Sequence, residues 1–210
     1  RCYYWESKSE HRPCEVAPLN HERLAMRDEL EREIKLPYKT PALARRAVIA
    51  SGATPLRARR LQNDCLLDRE IEPLSNRHCA LRIRIDGDQA YLTFKDTPVP
   101  GKTKTRKELE TTVGDGELLL RLFERLGFRV WFRYQKYREE FSRGDLIIAI
   151  DEVPIGTFVE LEGSEEDILN TATRLERSSS DFVLDSYLAL FLKHRAAKNS
   201  TANHMLFAQS

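Results

Sequence analysis

The sequence predicts an α+β fold: an eight-stranded antiparallel sheet closed into a barrel, with helices packed outside. Three observations carry that expectation. Eight segments have strand length and strand patterning, and most are joined as consecutive hairpins. Eight is also the number of strands at which an antiparallel sheet can close around side chains or one small ligand. Finally, charged residues recur at two-residue spacing on strand after strand, while the alternate positions are apolar.

The first strand is LEREIKLP, from residue 30, with Glu31, Glu33 and Lys35 on one face and Arg32, Ile34 and Leu36 on the other. Thr40 then reads as a helix N-cap with Pro41 at the first helical position, and Gly52 ends the ALARRAVIAS helix. A second strand is expected over 57–67, with a blurred period. CALRIRI (79–85) alternates cleanly, the DGD at 86–88 is a hairpin turn, and QAYLTFK (89–95) is the return strand. A loop over 97–104 contains GKT, the end of a phosphate-binding P-loop, but Asp96 stands where that motif needs glycine and a strand follows. The P-loop is therefore rejected.

TRKELETTV (105–113) is the fifth strand and DGELLLRLFERLG (115–127) a capped amphipathic helix ending at a glycine. Residues 128–141, 145–153 and 157–163 read as three consecutive antiparallel strands. A helix over 164–176 starts at a Ser164 cap with an acidic first turn, and an apolar helix follows at 184–195. Residues 1–25 show no sustained period, so the domain is expected over 26–195, opening near Met26. The first 25 residues would be a poorly structured extension and residues 196–210 a frayed tail.

Composition narrows the function classes. In 210 residues, 34 basic and 33 acidic side chains almost cancel, so net charge gives no argument for nucleic acid or a membrane surface as partner. No apolar stretch approaches the length of a membrane span. The four cysteines lack CxxC spacing and fit reduced thiols in a cytoplasmic protein. The five histidines form neither HxH nor HExxH, which gives a histidine metal site little support.

The charged faces are then the informative feature. On one strand, alternating charge usually marks a wet outer face. Here the pattern repeats: Glu31, Glu33 and Lys35; Arg82 and Arg84; Lys95; Arg106, Glu108 and Glu110; Lys136 and Arg138; Asp151; Glu160 and Glu162. The helices need an apolar surface to pack on, and the apolar strand faces supply it if the helices lie outside. The charged faces must then line the interior, where ions cost several kcal/mol each unless paired or bound. Such a lining suits a polyphosphate, with Arg and Lys on its oxygens and carboxylates on Mg²⁺ or Mn²⁺. Arg129 and Arg133 have the opposite parity to Lys136 and Arg138 and read as surface charges, as does Lys193. Arg59, Arg60, Asp64 and Asp68 lie on the blurred strand and are left unassigned.

The stretch from Glu31 to Lys35 resembles the ExExK signature of the CYTH proteins, the triphosphate tunnel metalloenzymes. That family includes class IV adenylate cyclases, thiamine triphosphatases and inorganic triphosphatases. The resemblance continues in order through LRIR (81–84), LTFK (92–95), TRKELE (105–110), KYREEF (136–141), IDEVPIGTFVELEG (150–163) and DSYLALF (185–191). ExExK alone is a weak signal; the ordered set is a strong one.

The resemblance implies a barrel whose tunnel binds a triphosphate with a divalent metal. Glu31, Glu33, Asp151, Glu160 and Glu162 would be the metal ligands, with Asp151 either ligating or anchoring. Lys35, Arg82, Arg84, Lys95, Arg106, Lys136 and Arg138 would grip phosphates. Glu31, Glu33, Lys35 and Glu108 would carry the chemistry. Glu108 and Glu110 would orient basic groups or help with metal and water, while Glu110 and Glu162 could equally sit solvated at a mouth. The expected activity is that of the class IV adenylate cyclase branch, ATP to cyclic AMP and pyrophosphate. A triphosphatase acting on tripolyphosphate or thiamine triphosphate is the close alternative, and a non-catalytic polyphosphate- or nucleotide-binding module a third. The protein would work as a monomer or homodimer.

Overall fold

A computed structural model describes residues 30–208. The extension expected over residues 1–25 and the boundary at Met26 lie outside the described residues. The strands are β1 (Leu30–Tyr38), β2 (Thr54–Arg69), β3 (Ala80–Asp86), β4 (Gln89–Lys95), β5 (Lys104–Val113), β6 (Phe128–Arg143), β7 (Leu146–Val153) and β8 (Gly156–Glu162). The helices are α1 (Pro41–Ala50), α2 (Gly116–Arg125), α3 (Glu165–Arg174) and α4 (Tyr187–Lys198). The strands close into a barrel in the order β1-β5-β4-β3-β2-β6-β7-β8, every pair antiparallel.

Tight turns set the meanders. Asp86 pairs with Gln89 and Arg143 with Leu146, so each loop has two residues. Gly87 and Gly144 occupy those loops at φ of 64° and 61°, a region that suits glycine. The helices start where side chains satisfy their first amides. Thr40 accepts from the Leu43 N–H, Asp115 from Leu118, Ser164 from Asp167 and Ser186 from Ala189. The Ser186 cap sets the start of α4 at Tyr187, three residues later than the apolar pattern predicts.

Apolar faces point away from the barrel axis. Ile34, Leu36, Phe141, Ile148, Ile150, Val159 and Leu161 meet Ala44 and Val48 of α1 and Ile168 and Ala172 of α3. Cys65, Leu67, Leu81 and Ile83 pack with Leu120 of α2. Burial of such side chains stabilises by about 1.5–3 kcal/mol each, which fixes which face of each strand turns inward.

α4 packs differently, across one end of the barrel. Phe132 and Tyr134 share their face of β6 with Lys136 and Arg138, and together with Phe158 they cluster with Tyr187 and Phe191. The chain reaches that position through Val183, whose N–H and C=O bond Lys35 at 2.9 and 3.0 Å.

Two expectations need correction. β2 is longer than 57–67, and its pairing with β6 slips between Pro55 and Arg57, between Arg57 and Arg60, and between Leu66 and Leu67. Each slip breaks the two-residue period, which is why the sequence there looks blurred. The tail is also not frayed from residue 196. α4 runs to Lys198, Asn199 adopts a left-handed C-cap, and the chain returns to β6. Met205 is 1% exposed, its N–H bonds the Arg133 carbonyl at 3.0 Å, and its own carbonyl accepts from Gln135 at 2.9 Å.

Candidate active site

The inward faces enclose a cavity of about 980 Å³. Of the residues singled out in the sequence, Glu31, Glu33, Lys35, Arg82, Arg84, Lys95, Arg106, Glu108, Glu110, Lys136, Arg138, Glu160 and Glu162 all line it. Asp151 stands behind the lining, 0% exposed.

Strand pairing explains the neighbours. Glu33 lies opposite Glu162 and Lys35 opposite Glu160 across β1 and β8, while Glu31 faces Arg106 across β1 and β5. Lys35 Nζ sits 3.1 Å from Glu33 Oε1 and 3.2 Å from Glu160 Oε1. Lys95 Nζ sits 2.9 Å from Glu31 and 2.5 Å from Glu108. Along the adjacent strands β3, β4 and β5, Arg82 Nη2 donates to Thr93 Oγ1 at 3.0 Å and to Glu110 Oε2 at 3.3 Å.

Asp151 is saturated. Its Oδ1 accepts from Arg138 Nε at 2.7 Å. Its Oδ2 accepts from Lys136 Nζ at 2.9 Å, Arg138 Nη2 at 2.6 Å and the Tyr187 hydroxyl at 2.8 Å. Arg138 also bonds Glu160. Burial opposes charge on Asp151, yet Arg138 and Lys136 overrule it and hold the carboxyl well below its usual range.

The remaining ionisations follow from the same contest. Burial raises Glu31, but Lys95 and Arg106 bring it down to about 2, despite the nearby charge of Glu33. Lys104 and Lys35 likewise hold Glu33 well below 4.5 against its burial. Glu108 goes the other way, to about 7, because burial and the adjacent Glu31 carboxylate favour its protonated form. Glu162 is raised by burial and by Glu31. Two ammonium groups, Lys104 and Lys136, are pushed down to about 8 by burial and by neighbouring cations.

Several participants escaped sequence reasoning. Asp64 is 1% exposed and accepts from Arg84 Nε at 2.9 Å, with Arg82 Nε at 3.6 Å. Its strand is the slipped one, so its inward facing was hidden. Lys104 Nζ lies 2.5 Å from Glu33; it stands two residues before Arg106, a spacing that could have identified it. Tyr187 was read only as part of an apolar helix. Arg60, Asp86 and Glu140 form a further ion cluster at the opposite mouth, with Arg60 at 2.8 and 2.9 Å from the two carboxylates. Arg129 and Lys193 do lie at the surface, in exposed pairs with Glu70 and Asp185.

A divalent metal fits the donor chemistry. Glu31, Glu33, Glu160 and Glu162 give hard oxygen donors on two adjacent strands, and burial together with the nearby Glu31 charge raises Glu162. Among the described residues no three such groups form a ready cage. Instead each cation in the tunnel holds a carboxylate, so the lining neutralises itself. A metal that brings phosphate oxygens as co-ligands needs no protein cage. No described helix is long and apolar enough to cross a membrane.

A closed antiparallel barrel with carboxylates and basic groups interleaved on its inner wall is a triphosphate tunnel fold. The chain belongs to the CYTH family, whose domain model matches residues 26–187. A Methanocaldococcus jannaschii protein provisionally named as an adenylate cyclase is 33% identical over 122 residues, covering 53% of this chain and 70% of that one. A solved Pyrococcus horikoshii structure shares 26% identity at a TM-score of 0.64, covering 79% of this chain and 99% of that one. A Hippeastrum protein, provisionally named an adenylyl cyclase and described as having a dominant triphosphatase activity, has the same fold at 19% identity and a TM-score of 0.60. That match covers 79% of this chain and 96% of the other.

Proposed function

We propose that this protein is a metal-dependent enzyme acting on a triphosphate, of the class IV adenylate cyclase type. The observation that carries the reading is one cavity in which four carboxylates on β1 and β8 face basic groups from β3 to β6. An anion binder would gain nothing from Glu31, Glu33, Glu160 and Glu162. Those four would hold Mg²⁺ or Mn²⁺, which would supply charge neutralisation on the phosphoryl oxygens. Lys35, Arg82, Arg84, Lys95, Arg106, Lys136 and Arg138 would grip the phosphate chain and stabilise the charge that develops on it. Asp151, with four donors on its oxygens, serves as the anchor that aims Lys136 and Arg138 rather than as a metal ligand.

With ATP, the ribose 3′-oxygen attacks the α-phosphorus, the bond to the bridging oxygen breaks, and pyrophosphate leaves with the electron pair. The hydroxyl proton needs an acceptor, and Glu108, held near 7, is the lining carboxyl whose proton affinity suits that task. The same grip serves a hydrolase in which water attacks the terminal phosphorus. The name of the Hippeastrum neighbour supports keeping that second reading.

Phosphorus NMR of the products separates them. Pyrophosphate with cyclic AMP from ATP supports the cyclase; orthophosphate from tripolyphosphate, with ATP intact, replaces it by the triphosphatase. Glu31→Gln with Glu33→Gln is expected to abolish turnover with Mg²⁺ or Mn²⁺ while ligand binding survives in part. Undiminished turnover in that variant would remove the two carboxylates from the chemistry.

A further inference from the structure

The two mouths of the tunnel differ. One carries Arg57, Arg60, Asp86 and Glu140, all charged. The other, beside α4, carries Trp131, Leu184 and Leu188 along with Asp185, and a backbone irregularity brings the indole there. Leu66 of β2 pairs with Phe132, but the next residue, Leu67, pairs with Val130. Trp131 is thus the extra residue of a bulge, which turns it off the outer face. Val130 packs outside under α2, Phe132 packs beneath Phe191 with ring centroids 5.3 Å apart, and Trp131 lines the cavity at 43% exposure.

The same cavity is lined by Leu66, Leu184 and Leu188, which are apolar, and by His78 and Ser75, which are polar. This patch continues the phosphate-gripping lining. Leu66 is the next same-face position after Asp64, and Ala80 is the one before Arg82, a step of ~7 Å along a strand. An inorganic phosphate chain has no use for an indole and three leucines. A planar ring does, because its face stacks on Trp131 while its edge reaches polar atoms.

We propose that Trp131 is a specificity residue that stacks on a heteroaromatic ring carried by the triphosphate. The substrate class is then an organic triphosphate rather than inorganic tripolyphosphate, with the ring at the α4 mouth and the phosphates deeper. This rests on the triphosphate reading above.

Trp5 and Trp131 are the only tryptophans in the chain, so a Trp5→Phe background makes Trp131 the sole indole reporter. The full chain would be titrated with ATP, thiamine triphosphate and tripolyphosphate, each with Mg²⁺, reading emission and calorimetric heat together. At least one aromatic triphosphate is expected to quench Trp131, and which one identifies the ring. Tripolyphosphate is expected to bind with no emission change. Trp131→Ala should weaken the aromatic ligand about 5- to 100-fold, Trp131→Phe should recover part of that, and both should leave tripolyphosphate within about twofold. Binding of aromatic ligands without quenching, or equal losses for all three ligands, overturns the stacking role alone. Failure of all three to bind overturns the triphosphate reading and this inference with it.

Discussion

Replacing Asp151 with Asn tests how the tunnel holds its charges. The change keeps the shape of a fully buried side chain but removes the negative charge shared by Lys136, Arg138 and Tyr187. Leaving buried cations without their counter-charge costs about 3–5 kcal/mol. For a chain of 210 residues, each kcal/mol lowers Tm by about 2–4 °C, so Tm should fall by about 6–20 °C. The carboxyl of Asp151 is depressed in the folded protein, so its stabilisation is complete above its unfolded value near 4 and is lost only as pH falls well below that. The full deficit should therefore appear at pH 7. Thermal unfolding followed by circular dichroism measures it. Tyr187→Phe removes one bond to the same carboxylate, about 1.5–3 kcal/mol, and should give a smaller fall. Tripolyphosphate should raise Tm more in the Asn variant than in the parent, because the anion replaces the missing charge. A Tm within about 2 °C of the parent would refute the anchoring role.

Two further predictions concern other parts of the molecule. Lys104 and Lys136 are charged below about 8 and neutral above it, so KM for a triphosphate should climb as pH rises past 8. Assayed without added triphosphate, the protein should gain stability over the same rise toward 10.5, since the unfolded chain then binds the extra protons. Lys136→Arg should flatten part of the KM profile, and an unchanged profile would clear Lys136 of the effect. Met205→Ala should cost about 2–5 kcal/mol through the cavity it leaves among Phe132, Tyr187 and Phe191, whereas Met205→Leu should cost under about 1.5; parallel melting curves would contradict the docked tail.

Much of the fold was legible because alternation survives wherever pairing is regular. β3, β4 and β5 run in unbroken register, and their inward charges can be read directly from every second residue. β2 resisted because slipped pairing moves residues between faces without any mark in the sequence, which concealed Asp64 and Arg60. Tyr187 resisted for another reason: nothing local says that a helix N-terminus will lie over a barrel mouth. The docked tail was illegible because a few main-chain bonds and one methionine hold it, with no periodic pattern. Asp151, by contrast, was found by position, with its role left open between ligand and anchor. Its environment decides that role, through three donor side chains from two other elements.

β1 is bonded on one side to β5 and on the other to β8. Of the eight barrel strands it is made first, yet its second partner, β8, is made last. The nascent chain therefore carries Glu31, Glu33 and Lys35 on an unfinished edge until β8 is delivered, and the long sequence separation makes that final pairing a slow event. Until it happens, the carboxylates of β1 and β8 are apart and no partial site exists. Closure of the barrel and assembly of its charged lining are thus completed by the same step, and half-made or truncated chains ending before β8 should be inert.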